Sequence, residues 1–310
     1  MDSRRKAGHV VQRMPPFLDL FVPRGRPWED SGLRALRSLL LLHALVRTLG
    51  WLPSGLPEGY LGLSMAIGMR VLMLVAAIAG LWPRRGRQAA ALGALVVSAQ
   101  VALSFPELED YVYLELFALT LFALFDVSSP TDGPLLRSTL CWMGAIVLFH
   151  FGLQKLLHGY YFFAEFPLAA IASDDPVGRL YAWLVPAAEV RRLRGLNLGL
   201  PDAGPFTSES VPLIILSNAV WALEIELAVL ILLRRTRAVA AIAAIATVAA
   251  VLLVGHQPIY ALLLIQLLLL CIPGQWNRRL APLFVAAYVA LFLAQIGVLP
   301  RDLLLRGTRL

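Results

Sequence analysis

Long apolar runs alternate along the chain with shorter, more polar connections. The runs cover 32–52, 62–82, 88–105, 111–126, 135–157, 211–233, 238–255, 259–273 and 280–299. Most of them approach the length of about 20 residues that an α-helix needs to cross a bilayer. The pattern therefore predicts an all-α protein, a polytopic bundle of about eight or nine transmembrane helices.

The predicted membrane domain, 32–299, lies between a basic, proline-rich segment at 1–31 and a short tail at 300–310. Because the first segment becomes apolar only at its end, we expect no cleavable signal peptide. A more polar connection, 158–210, interrupts the series of apolar runs. Its sequence EVRRLRGL, 189–196, is typical of an interfacial helix that lies along lipid headgroups.

Basic residues collect in alternate connections. The segment 1–31 and the sequences PRRGRQ, RRTR and NRR are basic, whereas LPSGLPEGYLGLS, FPELEDY and GHQP contain no Lys or Arg. The positive-inside rule then predicts a cytoplasmic N-terminus. The long connection 158–210 falls on the extracytoplasmic side, since long loops follow the rule less strictly. We expect a multi-pass protein of a bacterial cytoplasmic membrane.

The composition agrees with this picture and removes one alternative. The chain is 59% hydrophobic and 15% charged, with a mean hydropathy of +0.73. Soluble domains are nearer to half apolar and a quarter charged. A net charge of +7 would suggest nucleic-acid binding in a soluble protein. Here the arginines mark membrane topology, so we expect the lipid bilayer as a partner and no nucleic acid.

The two cysteines, Cys141 and Cys271, lie in separate apolar runs. Neither belongs to a CxxC sequence or another metal-binding spacing. We therefore expect buried thiols, with no metal site and no disulfide framework.

Charged side chains inside the apolar runs need an explanation, because a charge in a bilayer is costly and usually faces the protein interior or water. Arg47, Arg70 and Glu115 lie at comparable predicted depths. They can form a structural ion pair or bind an anionic or carbonyl group of a substrate. Glu224 and Glu226, two residues apart on a helix, cannot point the same way. We expect one of them to bond to a neighbouring helix.

The end of the fifth run, HFGLQKLLH, collects ionisable and hydrogen-bonding side chains. His150 and Gln154 are spaced i, i+4, and Lys155 and His158 are spaced i, i+3, so each pair shares a helix face. One interpretation is that Lys155 is an anchor that extends to the membrane surface. The other is that Lys155 faces inward, where lost hydration favours the neutral amine, a competent general base.

Polar residues from separate connections share the predicted extracytoplasmic face. Lys155, His158 and Glu165 lie there, and so does His256 in VLLVGHQPIY. The glycine and proline around His256 break the helix. His256 is therefore either an ordinary turn residue or part of a site with Lys155.

The segment FGLQKLLHGYYFFAEF resembles one in vitamin K-dependent gamma-carboxylase and its bacterial relatives, the HTTM (horizontally transferred transmembrane) domain proteins. That segment runs Gly-x-x-Lys-Leu, an aromatic residue, then a small or acidic residue. The counterparts here are Gly152, Lys155, Leu156, Tyr160 or Tyr161, and Glu165. The later order of EIELAVLILLRRTR, the run 238–255 and His256 is also similar to the family. The resemblance is one of order and spacing over about 28–298.

The resemblance implies an enzyme in which Lys155 deprotonates a reduced quinone of the vitamin K or menaquinone type, which oxygen then converts to an epoxide. A dry cavity would keep the strongly basic product from water. Glu165 and His158 would orient or polarise the substrate. If the chain is an enzyme, Arg47, Arg70, Glu115, His150 and Gln154 are the candidates for substrate binding, because of their positions within the predicted spans.

Two departures limit what the resemblance implies. The family has an Asn-His pair before Tyr-Leu ahead of the fourth span, where this chain has EDYVYL with Asp110 and Tyr111. The polarising role would then move to His150, His158 or His256. The family's large extracytoplasmic domain has no counterpart before Leu310, so we expect a partner protein to supply recognition of any protein substrate.

Three functional hypotheses remain. The first is a membrane enzyme that acts on a quinol, lipid or peptide at the extracytoplasmic face. The second is a non-catalytic membrane subunit of a larger complex. The third, a small-solute transporter, is weaker because the chain shows no internal repeat and its helix breakers lie in loops.

Overall fold

The computed structural model describes residues 31–50, 60–105, 110–159, 161–173, 176–196, 210–250 and 258–299. Within these ranges all regular structure is helical. The α-helices are α1 (Ser31–Gly50), α2 (Tyr60–Gly80), α3 (Gly86–Ser104), α4 (Asp110–Leu124), α5 (Asp132–His158), α6 (Glu165–Ala172), α7 (Pro176–Tyr181), α8 (Ala187–Arg194), α9 (Val211–Leu232), α10 (Arg237–Val248), α11 (Pro258–Leu269), α12 (Trp276–Arg279) and α13 (Ala281–Gln295).

Four helices are long and apolar enough to cross a membrane, judged by length and composition: α2, α3, α5 and α9. The helices α4, α10, α11 and α13 are apolar but shorter. Helix α1 has 20 residues, but it carries three arginines. The all-α prediction is therefore confirmed for the described residues. The full set of eight or nine spans stays a prediction.

Two groups of helices share α11. In the first group α1 packs against α2, α3 and α13. In the second group α5 packs along α9, and α10 covers α9 and α11. Leu263 and Leu267 of α11 are buried in the first core, whereas Leu264 and Leu268 are buried in the second. Two adjacent faces of one short apolar helix thus join the two cores.

The described parts of the connection predicted at 158–210 pack onto the beginning of α9. Gly159, with φ 73°, ends α5 in the left-handed conformation that glycine adopts readily. Leu168 of α6 and Leu193 of α8 then pack with Leu213 of α9 in a small third core. The predicted helix of EVRRLRGL is present as α8, with Leu193 buried and its arginines exposed. Its position along lipid headgroups stays a prediction.

The structure corrects the expectation of two separate thiols. Cys141 of α5 and Cys271, just after α11, form a disulfide with a Cα–Cα distance of 5.5 Å. The two residues are 130 positions apart, and only the packing of α5 on α11 brings them together. The spacing of the two cysteines in the sequence does not indicate that α5 packs on α11, which is why the expectation was wrong.

Candidate functional site

Helices α5 and α9 approach each other closely at Gly152. A Cβ atom built on Gly152 would lie 2.6 Å from Cγ1 of Ile225 and 2.7 Å from the backbone oxygen of Trp221. Only glycine fits at such a distance, since real Cβ atoms do not approach other atoms this closely. Small residues at helix contacts allow backbones to approach in this way. Gly152 therefore brings the next turn of α5, with Lys155, against the middle of α9.

Lys155 uses this approach to form an ion pair with Glu224. The ammonium of Lys155 donates a hydrogen bond to Oε1 of Glu224. The Lys155 side chain is 16% exposed and that of Glu224 is 5% exposed. The other carboxylate oxygen, Oε2, is buried and has no hydrogen-bond partner among the described residues. The pair thus contains one buried acceptor atom whose hydrogen-bonding capacity is unused among the described residues.

Aromatic rings surround the Lys155 ammonium. Its Nζ lies 5.9 Å from the ring centroid of Phe151 and 5.6 Å from that of Tyr161, within the range of cation–π attraction. Tyr161 lies in the turn between α5 and α6. The side-chain amide of Asn218 on α9 stabilises this turn by donating a hydrogen bond to the backbone oxygen of Phe162 at 3.1 Å. Burial raises the pKa of the Tyr161 hydroxyl, and the charge of Glu224 raises it further. Tyr161 therefore stays a neutral ring beside the pair.

The other residues predicted at this helix end lie outside the pair. Helix α5 presents His150 and His158 as exposed side chains, whereas Gln154 is half-buried. Glu165, the first residue of α6, is also half-buried. The described contacts of Lys155 are with Glu224, Phe151 and Tyr161 rather than with these residues. His256 falls outside the described residues.

Glu224 and Glu226 separate as the helical geometry predicted. Glu224 is buried and bonds to α5, whereas Glu226 is exposed. The expectation that one of the two glutamates bonds to a neighbouring helix is confirmed.

A second polar cluster lies in the first helix group. Arg47 of α1 forms a two-point ion pair with Glu115 of α4, with Nε–Oε2 at 2.6 Å and Nη2–Oε1 at 3.2 Å. Nη2 of Arg47 also donates to Gln100 of α3 at 2.6 Å, and Gln100 donates to Thr48 at 3.0 Å. All four side chains are at most 3% exposed. Of the two alternatives for these residues, the structure shows the ion pair for Arg47 and Glu115, and substrate binding by them stays a prediction. Arg70 is half-buried on α2.

The same cluster continues through His43. Gln266 of α11 donates to the hydroxyl oxygen of Tyr288 of α13 at 2.7 Å, and that hydroxyl lies 3.1 Å from Nδ1 of His43. Since the hydroxyl oxygen accepts from Gln266, its own hydrogen can be donated to Nδ1. Nε2 of His43 then carries the imidazole proton and faces Oε2 of Glu115 at 3.6 Å. A chain of polar groups thus connects α11 to α3 through the core.

Sequence reasoning did not single out four members of this cluster: Thr48, Gln100, Gln266 and Tyr288. A signal was available, because each is a hydrogen-bonding residue within an apolar run. A polar residue inside a membrane helix usually faces a partner helix. The pattern does not say which helix supplies the partner.

Comparisons with protein-family models, with curated proteins and with solved structures found no match to this chain.

Proposed function

We propose that this chain is an integral membrane enzyme of the carboxylase-like HTTM type. In this proposal Lys155 and Glu224 are the proton-transfer centre for a quinol or another lipid-soluble substrate. The observation that carries the proposal is the Lys155–Glu224 pair itself, a nearly buried ion pair in which one carboxylate oxygen has no hydrogen-bond partner among the described residues. The resemblance of the surrounding segment to the carboxylase family supports the substrate class.

The outer faces of the long helices support the membrane part of the proposal. Helix α2 exposes Leu63, Ile67, Val71 and Ile78, each at least 45%. In water such a surface would be unfavourable, whereas the hydrocarbon core of a bilayer accepts it. Large exposed apolar side chains recur on the other long helices, including Leu95 of α3, Ile146 of α5 and Ile215 of α9.

We extend the membrane proposal to eight or nine spans in a bacterial cytoplasmic membrane, with the N-terminus in the cytoplasm. The shorter apolar helices α4, α10, α11 and α13 supply the additional spans. Protease protection of an N-terminal tag in right-side-out vesicles tests the orientation. Digestion of that tag from outside would place Lys155 on the cytoplasmic side and overturn the extracytoplasmic part of the proposal.

The pair can take a proton from a substrate hydroxyl in two ways. In the charged pair, Oε2 of Glu224 accepts the proton while the Lys155 ammonium stabilises the oxyanion that remains. In a pair whose amine is neutral, Nζ of Lys155 accepts the proton. In both cases the substrate O–H bond breaks and one new bond to hydrogen forms on the pair. The rings of Phe151 and Tyr161 provide an apolar surface for a flat quinol.

Quinol turnover tests this proposal. The protein in nanodiscs receives reduced menaquinone or vitamin K with oxygen, and quinone and epoxide are followed by chromatography. Removing a general base usually lowers the rate about 10²- to 10⁴-fold, so we expect such a loss in Lys155→Ala and in Glu224→Gln. Glu226→Gln is the matched control, because Glu226 is an exposed glutamate two residues away. Full activity of Lys155→Ala would remove the proposed centre.

A non-catalytic subunit is the second candidate. Lys155 already has a carboxylate partner, and such a pair also serves to join α5 to α9. This candidate predicts a stoichiometric partner protein on purification and full function of the assembly with Lys155→Ala. The enzyme proposal predicts the opposite response to the same substitution.

A further inference from the structure

A cleft of about 300 Å³ opens at one end of the first helix group. It lies between the beginning of α1, the turn from α2 to α3 and the turn from α4 to α5. The charged residues that line it are Arg34, Arg37, Arg84, Arg87 and Asp126. Asp132 begins α5 beside this end and Lys155 lies near the other end, a separation of roughly 35 Å along the helix. The cleft is therefore distinct from the Lys155–Glu224 pair.

The cleft has an excess of positive charge from two neighbouring elements. Arg34 and Arg37 are three residues apart on α1, and Arg84 and Arg87 are three residues apart at the turn into α3, so each pair shares a face. Arg87 also donates to the backbone oxygens of Ala123 and Leu124 at the end of α4. Among the described residues that line the cleft, Asp126 is the one acidic residue, and its Oδ1 accepts from the Ser128 N–H.

Arg37 is the residue that points to a ligand. It lines the cleft, yet it is only 4% exposed. Its Nε is buried without a hydrogen-bond partner in the part of the chain that the structure describes. Its guanidinium lies against Gly86, where a Cβ atom would come 1.8 Å from Cζ. A buried N–H donor without an acceptor is unfavourable, and an oxyanion in the cleft would supply an acceptor for Nε of Arg37.

We propose that this cleft binds a phosphate-type oxyanion. The planar guanidinium fork of arginine matches the oxygen geometry of phosphate. A phospholipid headgroup and a free phosphate share this chemistry. Basic pockets between membrane helices on the cytoplasmic side are typical sites for anionic headgroups, and the cleft lies at the end that the arginine distribution assigns to the cytoplasm. The site does not depend on the enzyme proposal.

Binding to the full-length, delipidated protein in detergent tests the site. The probes are short-chain phosphatidylglycerol, short-chain phosphatidylcholine as the zwitterionic reference, and inorganic phosphate. Affinity is measured by titration, and the shift in thermal unfolding midpoint serves as a second readout. We expect phosphatidylglycerol to bind and to raise the midpoint, with phosphatidylcholine much weaker.

Single substitutions locate the binding. We expect Arg84→Gln to weaken it about fivefold, the effect of one basic residue near an anionic lipid surface. Arg37→Gln should weaken it about tenfold or more, because a buried charge-assisted hydrogen bond is lost. Arg235→Gln is the matched control, since Arg235 is an exposed arginine in another basic turn at the same predicted membrane face. It should bind like the wild type.

The outcomes separate the two sources of the oxyanion. Binding of phosphatidylglycerol without binding of inorganic phosphate supports a lipid headgroup. Equal saturation by inorganic phosphate supports a soluble phosphate compound. If no probe binds, or if Arg84→Gln binds as tightly as the wild type, the proposal is overturned. Arg84 is exposed, so this second test holds even where Arg37→Gln does not fold.

Discussion

The two ion pairs of the bundle, Arg47–Glu115 and Lys155–Glu224, differ in how completely their groups are satisfied. Both oxygens of Glu115 receive hydrogen bonds from Arg47, and Gln100 binds the same guanidinium. In the second pair one oxygen of Glu224 has no partner among the described residues, and the Lys155 side chain is 16% exposed. Both carboxylate oxygens of Glu115 are therefore hydrogen-bonded, whereas only one of the two carboxylate oxygens of Glu224 is.

This difference separates structural from chemical use of buried charge. A fully bonded network inside a low-dielectric core is rigid and resists any change of charge. An ion pair with a free acceptor and partial access can exchange a proton with a ligand. Under the proposed function, Arg47–Glu115 stabilises the bundle, whereas Lys155–Glu224 transfers a proton to or from a substrate. The predictions below test this assignment.

The largest effect on stability is expected for Glu115→Leu. This substitution leaves the Arg47 charge buried without its carboxylate, which usually costs about 3–5 kcal/mol. Thermal or denaturant unfolding in detergent measures the loss. The double variant Arg47→Met, Glu115→Leu should recover part of it, because no buried charge is then left alone. A wild-type midpoint for Glu115→Leu would contradict the structural role.

Gly152→Ala tests how closely α5 and α9 must approach. The added methyl group would overlap Ile225 and the backbone of Trp221, and overpacking of this kind typically costs about 1–3 kcal/mol. It should also separate Lys155 from Glu224 and lower turnover. Gly68→Ala is the control, because nothing lies within 4 Å of its added Cβ. Equal unfolding midpoints for Gly152→Ala and Gly68→Ala would show that a methyl group fits between α5 and α9, which would contradict the close approach at Gly152.

Tyr288→Phe tests the end of the polar cluster that lies farthest from the Arg47–Glu115 pair. The loss of one hydroxyl leaves both Nδ1 of His43 and the amide of Gln266 without their partner, at a cost of about 1–2 kcal/mol. Tyr113→Phe on α4 is the matched control, since Tyr113 is half-buried. Unfolding midpoints of the two variants measure the difference. No difference between them would remove Tyr288 from the network.

The smallest effect on stability is expected for Lys155→Met, about 1 kcal/mol, because Glu224 can take up a proton when its partner is absent. The same variant should lose quinol turnover, which makes it the opposite of Glu115→Leu. Unfolding midpoint and turnover are measured on one preparation. If Lys155→Met destabilises the protein as much as Glu115→Leu, the second pair is structural too.

The local pattern of apolar and polar residues was sufficient to predict the long apolar helices and the directions of some side chains. Val211–Leu232 matches the predicted run 211–233 almost to the residue, because a long apolar stretch between polar turns has one low-energy conformation in a nonpolar environment. The opposite directions of Glu224 and Glu226 follow from the helical repeat alone. The similar predicted depth of Arg47, Arg70 and Glu115 made an ion pair one of two alternatives, and the structure selects Arg47 and Glu115 as its members.

The local sequence pattern did not predict the hydrogen-bond and ion-pair partners of the other polar residues. Lys155 was expected to join His158 and Glu165, its near neighbours in sequence, yet its partner is Glu224, 69 residues away. Nothing in the α5 sequence specifies that α9 will lie against it at Gly152. Tyr288 and Gln266 were missed for the same reason, since their roles depend on the neighbouring α1.

The sequence by itself determined where the helices lie, which faces are apolar and how the basic residues are distributed, because these properties depend on residues close together in the chain. Only the tertiary structure decided which helices touch. These helix contacts pair Lys155 with Glu224, bring Cys141 and Cys271 into a disulfide and place four arginines in the lining of one cleft. The physical reason is that apolar packing is non-directional, so the choice of neighbours depends on the whole bundle at once.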